Sequence, residues 1–307
     1  MPDYSAIKRA LNAGIPGLEM RENEPMSEHC SFKIGGPARL MLLPATTEEA
    51  AAALRLLHEH GADVLICGNC TNLLVPDEGY AGAVVCMSKP MSSLELLDST
   101  HIRAGAGATL NALAVFAAKH DLTGLEFAHG IPGSVGGGTA MNAGAYGGEM
   151  RDVIESVEFV DENGQIEAYG ADKLGLSYRH SAFSDTDKLV TRVVFKLEPG
   201  DGDAVRARMQ ELIEKRRASQ PLEMPSAGST FKRPATGYAA ALIDSCGLKG
   251  LTVGGAMVST KHAGFVVNNG NATYADVLAL IAEIQKRVFE GTGVRLEPEV
   301  KIIKPVG

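Results

Sequence analysis

The order of apolar and polar positions divides the chain into short strands and longer helices. Residues 1–25 read as a polar helix and a loop. Leu40–Leu43 is a short apolar run stopped by Pro44, as a strand would be. Thr46 or Thr47 then caps a helix carrying Glu48 and Glu49 in its first turn, where the helix dipole favours anions, and Gly61 ends it after His60. Val64–Cys67 and Ala83–Met87 are further apolar strands, separated by a loop of small polar residues, Gly68–Asn72. Thr109 caps a second helix, Leu110–His120. Val153–Val160 alternates as a strand does, Asn163-Gly164 is a hairpin turn signal, and Gln165–Tyr169 returns. Lys188–Leu197 is another strand.

Pro199-Gly200-Asp201-Gly202 reads as a linker, followed by a charged helix over 203–218 and a short helix near Tyr238–Cys246. Strands are expected around Thr252–Val258 and Gly264–Asn268, a helix capped by Thr273 to about Glu290, and a closing strand over Val294–Ile303. The class is α+β, mixed sheets with helices packed on them.

Composition changes this picture in one respect. Glycine numbers 35 in 307 residues, against roughly 21 for ordinary usage, so backbone comes close to something in many places. A net charge of −8 gives no basic face for nucleic acid, and Lys215-Arg216-Arg217 is too short to supply one. No apolar run reaches the length of a membrane span, and the start lacks the pattern of a signal peptide. Five scattered cysteines, Cys30, Cys67, Cys70, Cys86 and Cys246, make no disulfide framework. Cys67-Gly68-Asn69-Cys70 lacks the second ligand pair of a metal site, so no metal is expected. The default location is the cytoplasm.

Five segments carry candidate chemistry. Cys67-Gly68-Asn69-Cys70-Thr71-Asn72 follows a buried strand, and such a turn points amides outward as a pyrophosphate cradle does; an ordinary turn is the alternative. It is neither a Walker A loop nor a G-x-G-x-x-G fingerprint. Gly130–Gly148 holds eight glycines in 19 residues, interspersed with packing residues such as Ile131, Val135 and Met141. That mixture points to positive φ angles or close approach of a ligand. Arg179 lies in Ser177-Tyr178-Arg179-His180, where a cation can meet a carboxylate or developing negative charge; a surface arginine is the alternative. Ser229 sits between small residues and the cations Lys232 and Arg233, a poised hydroxyl without the G-x-S-x-G elbow of a hydrolase. Glu297 and Glu299 are two apart near the end of the chain, acid candidates or a solvated strand end.

These segments, in this order, resemble the UDP-N-acetylenolpyruvoylglucosamine reductases of peptidoglycan synthesis, the MurB family. The blocks are Ser31–Ala38, Gly130–Glu149, Pro225–Lys232, Gly247–Gly250, Val258–Asn268 and Leu296–Val300. The resemblance implies a two-subdomain FAD-binding domain of the vanillyl-alcohol-oxidase (PCMH) type plus a C-terminal α+β substrate domain. The expected division is a lead-in over 1–30, the FAD-binding domain over 31–200 with its subdomains split near 95–105, and the substrate domain over 201–307. The resemblance also implies non-covalent FAD, with NADPH as the reductant. The implied reaction adds a hydride to the terminal carbon of the enolpyruvyl ether of UDP-N-acetylglucosamine and a proton to the adjacent carbon, giving UDP-N-acetylmuramate. No nucleic acid or membrane partner is expected, and the expected state is a monomer or weak dimer.

The family's roles fall on matching positions. By that match Ser229 would be the proton donor, Arg179 would stabilise the enolate, and Glu299, or alternatively Glu297 two positions before it, would be the tail carboxylate. Cofactor contacts fall on Cys67, Gly68, Asn69, Cys70, Thr71, Asn72, Gly130, Ile131, Pro132, Gly133, Ser134, Gly136, Gly137, Asn142, Ala143 and Gly144. Tyr178, Lys232, Arg233 and His262 are substrate-contact candidates. The chain departs from the family at Cys30, usually Thr, and at Cys70-Thr71, usually Gly-Ser. The short stretch from Tyr178 to Gln220 matches the compact subgroup without the extra substrate-covering loop. Two other readings are another FAD enzyme of the same fold acting on a sugar or hydroxy acid, and a silent nucleotide-sugar binder. The joint presence of Arg179, Ser229 and Glu299 argues against the binder.

Overall fold

The computed structural model describes residues 2–87 and 89–304; Met1 and the last three residues of the expected C-terminal domain lie outside them. By compactness the chain forms two units. The first takes in residues up to Glu22, Arg39–Asn69 and Gly82–Glu214; the second takes in Asn23–Ala38, Cys70–Ala81 and the chain from Lys215 onward. This grouping cuts across the linear division expected from sequence.

A four-stranded sheet has the order Glu19–Pro25, Pro37–Leu43, Tyr80–Cys86, Val64–Cys67. The last two run parallel, with Cys67 opposite Cys86. Thr46 caps the helix Thr47–Glu59 by accepting the Glu49 amide at 3.1 Å. That helix packs with Tyr4–Gly14 over a core that includes Ile7, Leu11, Leu54 and Leu57. Glu19–Pro25 corrects the expectation of a loop. It is an edge strand whose side chains are all partly or fully exposed, so no apolar alternation marks it.

A second, antiparallel sheet in the first unit has the order Ile166–Gly170, Ile154–Val160, Leu189–Lys196, His101–Gly105, Leu94–Leu96. The last two occupy the expected subdomain split and were not legible as strands. The Asn163-Gly164 turn is present, with Gly164 at φ 77 and Asp161 accepting the Asn163 and Gln165 amides. The expected linker instead pairs: Glu198–Pro199 lies against Leu122–Thr123, and a helix begins at Gly202.

The second unit is built on a three-stranded meander, Thr252–Val253, Ala256–Val258 and Val266–Asn268, covered by the helix Tyr274–Thr292, against which the helix Ala239–Ser245 packs. Thr273 and Asp276 form a reciprocal capping box at the long helix's start, and Gly293 ends it at φ 74. The core holds Ile243, Val258, Val277, Leu280 and Ile284. The expected strand over Val294–Ile303 is mostly irregular. Only Lys301–Ile302 pairs, parallel to Leu73–Leu74, plus one bridge between Phe231 and Pro298. Pro298 has no N–H to give a ladder, and its fixed φ interrupts the strand.

Candidate functional site

In the first unit the parallel strand Val64–Cys67 delivers its loop directly against the glycine-rich segment. A Cβ on Gly68 would lie 2.0 Å from the Ser134 hydroxyl oxygen, so only glycine fits. Ser134 is buried and accepts the Gly137 amide at 3.2 Å, capping a one-and-a-half-turn helix, Val135–Ala140. This helix was not expected, because its sequence Val-Gly-Gly-Gly-Thr-Ala has almost no intrinsic helix propensity. Tertiary contact forms it. A Cβ on Gly136 would lie 2.9 Å from the Ala106 Cβ, and one on Gly138 would lie 3.1 Å from Leu110.

Glycine in this segment therefore has two uses. Gly136 and Gly138 let the helix press on the protein's own core, and at Gly148 an added Cβ would likewise come within 2.7 Å of the Phe127 ring. By contrast Gly68, Asn69, Gly130–Gly133, Gly137 and Ala143–Ala145 keep surface exposed. Together they make a ledge of backbone, one amide side chain, small residues and the apolar Ile131 and Pro132, with no carboxylate among them. That donor chemistry fits the pyrophosphate and flat ring system of FAD. Among the described residues no group of His, Cys, Asp and Glu could hold a metal ion.

Asn142 turns out to be a tie. Buried, at φ 42, it donates to Glu149 at 2.9 Å and to the Ser177 carbonyl at 3.0 Å, and it accepts the Arg151 amide at 2.9 Å. The second donation seats the Arg179 turn on the glycine-rich segment. Ser181 and Ser184 add hydroxyl bonds to the Ala140 carbonyl at 2.8 and 3.1 Å. Ser177 and His180 exchange both backbone bonds, which leaves Tyr178 and Arg179 at the tip of a tight turn. Arg179 takes φ 56, and its guanidinium lies 5.1 Å from the centre of the Tyr178 ring.

In the second unit five of the resembling blocks converge. The Ser31 hydroxyl donates to the Ser226 carbonyl at 2.6 Å, and the Asn268 amide side chain to the Phe32 carbonyl at 3.2 Å. The Gly250 amide meets the Val258 carbonyl at 2.9 Å, the Thr230 amide meets the Gly264 carbonyl at 2.8 Å, and the Glu299 amide meets the Thr230 carbonyl at 2.8 Å. Ser229 and Glu299 thus stand on neighbouring stretches of backbone, both half-buried. The Ser229 hydroxyl meets no hydrogen-bond partner among the described residues.

The two carboxylates of the tail separate cleanly. Glu297 is exposed, and its carboxylate pairs with the Lys232 ammonium at 2.5 Å. Glu299 sits next to Thr230. Asn72 donates from its side chain to the Glu299 carbonyl at 3.1 Å, and its own carbonyl accepts the Lys301 amide at 2.9 Å, so it fixes the tail that carries Glu299.

The remaining positions are placed as follows. Arg233 stacks 4.2 Å from the centre of the exposed Tyr238 ring. His262 accepts the Gly264 amide at Nδ1, which puts its proton on Nε2, and its ring meets Phe265 edge-on at 4.9 Å. Burial, reinforced by the Lys249 ammonium, holds its pKa below the usual imidazole range. Cys70 is buried at φ 48 and its carbonyl accepts the Ser31 amide at 3.3 Å. The backbone there keeps a left-handed turn that glycine would make more easily. Sequence reasoning missed Thr230, Ser31 and the tethering roles of Asn72 and Asn142, since nothing in their spacing distinguishes them from ordinary loop polars.

The fold and this ledge define an FAD-binding oxidoreductase architecture. Residues 38–170 match the FAD binding domain family, and residues 220–303 match the C-terminal domain family of UDP-N-acetylenolpyruvoylglucosamine reductase. Berberine bridge enzyme, in a variant form, shares the fold at 13% identity with a TM-score of 0.51, over 65% of this chain and 44% of its own. The chain belongs to the UDP-N-acetylenolpyruvoylglucosamine reductase family. It is 48% identical over 281 residues to the reductase of Caldanaerobacter subterraneus subsp. tengcongensis, covering 92% of each chain. It is 44% identical to that of Agathobacter rectalis, covering 96% of this chain and 97% of the relative. The crystal structure of the Thermus caldophilus reductase matches with a TM-score of 0.79 at 36% identity, over 94% of this chain and 99% of that one.

Proposed function

We propose that the protein reduces the enolpyruvyl ether of UDP-N-acetylglucosamine to UDP-N-acetylmuramate, with non-covalent FAD and NADPH, in the cytoplasm. The observation that carries the reading is that Thr230 bonds the Glu299 backbone next to Ser229, so a hydroxyl able to give a proton and a carboxylate able to orient a substrate stand on adjoining stretches of backbone. FAD, when bound, supplies hydride transfer between NADPH and the sugar nucleotide. Residues 67–72 and 130–144 would hold it, chiefly Gly68, Asn69, Gly130–Gly133, Gly137, Ala143 and Gly144.

The chain's own residues do the rest. Hydride addition at the terminal carbon of the enolpyruvyl group pushes negative charge toward the carboxylate on the adjacent carbon. Arg179, a fixed cation at a turn tip, is assigned to that charge. The Ser229 hydroxyl gives its proton to the adjacent carbon. Glu299 is assigned to orient the sugar nucleotide and to polarise the reacting group. Lys232, Arg233, Tyr178 and His262 are assigned to the substrate, the first two as cations for its diphosphate.

The test is direct. Purified protein should carry FAD, absorb near 450 nm as flavins in general do, and turn over NADPH beyond a single equivalent anaerobically only when the UDP-enolpyruvyl sugar is present. NADH serving equally well would remove the NADPH assignment. A colourless protein that FAD cannot reconstitute would remove the reaction as a whole.

A further inference from the structure

The edge of the meander beside Ser229 holds a register change. Ser226 lies opposite Val267, and the Asn268 amide donates to the Pro225 carbonyl at 2.8 Å. Continued as a regular antiparallel pair, that register would set Ala227 opposite Val266 and Ser229 opposite Gly264. Instead the Thr230 amide bonds the Gly264 carbonyl, so one extra residue has been inserted. This is a β-bulge, and Gly228 at φ 75 supplies its left-handed residue. Bulges re-aim a side chain, and the side chain here is Ser229.

The bulge has a cost. In the regular register the Val266 amide would bond the Ala227 carbonyl. In this structure its acceptor is the Thr230 hydroxyl oxygen, at 2.9 Å, between residues that are both buried. A buried amide left without an acceptor is strongly unfavourable, so without this bond the edge would be driven back toward the regular register. The same residue's carbonyl holds the Glu299 amide.

We infer that Thr230 is a positioning residue: its hydroxyl satisfies the donor that the Ser229 bulge strands, and its carbonyl sets Glu299 beside that bulge. The inference rests on the reaction assigned above, and its test separates the two. Thr230→Val keeps the shape and the backbone bonds but removes the acceptor, whereas Thr230→Ser keeps it.

The experiment uses FAD-loaded enzyme and follows two half-reactions: flavin reduction by NADPH, and reoxidation by the UDP-enolpyruvyl sugar. For Thr230→Val, reoxidation is expected to slow by about 10- to 100-fold, since a misplaced donor costs on this scale. Flavin reduction and the KM for the sugar should stay within about twofold, the signature of an interaction used in the transition state. Thr230→Ser should recover most of the rate. Hydrogen exchange at the Val266 amide, read independently of activity, should speed up in Thr230→Val and not in Thr230→Ser. Should Thr230→Val not fold, Thr230→Ala replaces it in each comparison. Wild-type reoxidation rates in Thr230→Val, or serine as slow as valine, would overturn the positioning role, as would an equal fall in both half-reactions. A wild-type enzyme that the sugar does not reoxidise would instead overturn the assigned reaction, leaving the exchange result to judge the bulge.

Discussion

Ser229 and Glu299 are neighbours because Thr230 bonds in three directions: to Gly264, to Val266 and to Glu299. The Ser229 hydroxyl is thereby held out of the sheet edge. Ser229→Ala is expected to slow flavin reoxidation by the sugar by about 10²–10³-fold, the usual cost of one lost transition-state donor. Flavin reduction by NADPH should be nearly unchanged, and stopped-flow measurement of both steps checks it. Equal loss in both would make Ser229 structural. His262 gives a second prediction. The folded protein resists protonating it, chiefly by burial, whereas the unfolded chain takes up that proton near pH ~6.5. The stability this group supports is therefore complete above that pH and declines as pH falls toward the lower folded value. His262→Gln should flatten the acid side of the Tm-versus-pH curve just below pH ~6.5; an unaltered slope would contradict it. At this scale the sequence made Ser229, Arg179 and the tail carboxylates visible through their chemical types. The separation of Glu299 from Glu297 was not legible, because it depends on Lys232 crossing to Glu297 and on Asn72 holding the Glu299 carbonyl. Those contacts join positions far apart in the chain.

Helix starts were legible because a cap is a local event. Thr46, Thr109 and Thr273 each accept the backbone amide three residues on, as their sequence positions imply. The elements that escaped detection depend on distant partners. Leu94–Leu96 and His101–Gly105 are short strands defined by pairing within the five-stranded sheet, and Val135–Ala140 is a helix that packing imposes on three glycines. Two substitutions test that packing. Gly136→Ala should destabilise the protein by about 1–3 kcal/mol through overpacking against Ala106. Adding Ala106→Gly should recover part of the loss, and chemical denaturation of both variants decides it. Gly68→Ala must displace Ser134, the cap of the same helix. It should lower the FAD content of the purified protein, read as the ratio of flavin to protein absorbance; full occupancy would show that the two segments do not form one ledge.

The α+β class and the succession of an FAD-binding segment and a C-terminal segment were legible along the chain, and the family matches over 38–170 and 220–303 follow that succession. The grouping of Asn23–Ala38 and Cys70–Ala81 with the chain after Lys215 was not. It arises from bonds such as Ser31 to Ser226 and Tyr274 to Asp77, which join residues about two hundred positions apart. A ligand that binds only the folded state raises its stability, so FAD at a hundredfold excess over its Kd should stabilise the protein by about 2.7 kcal/mol. The midpoint of thermal unfolding should rise with FAD concentration. One anaerobic measurement tests the reaction itself. Enzyme reduced with one equivalent of NADPH is mixed with the UDP-enolpyruvyl sugar while the flavin absorbance is followed. The oxidised spectrum is expected to return rapidly, with one equivalent of UDP-N-acetylmuramate formed. A flavin that stays reduced with the sugar, yet is reoxidised by oxygen after reduction by a simple alcohol, would contradict it.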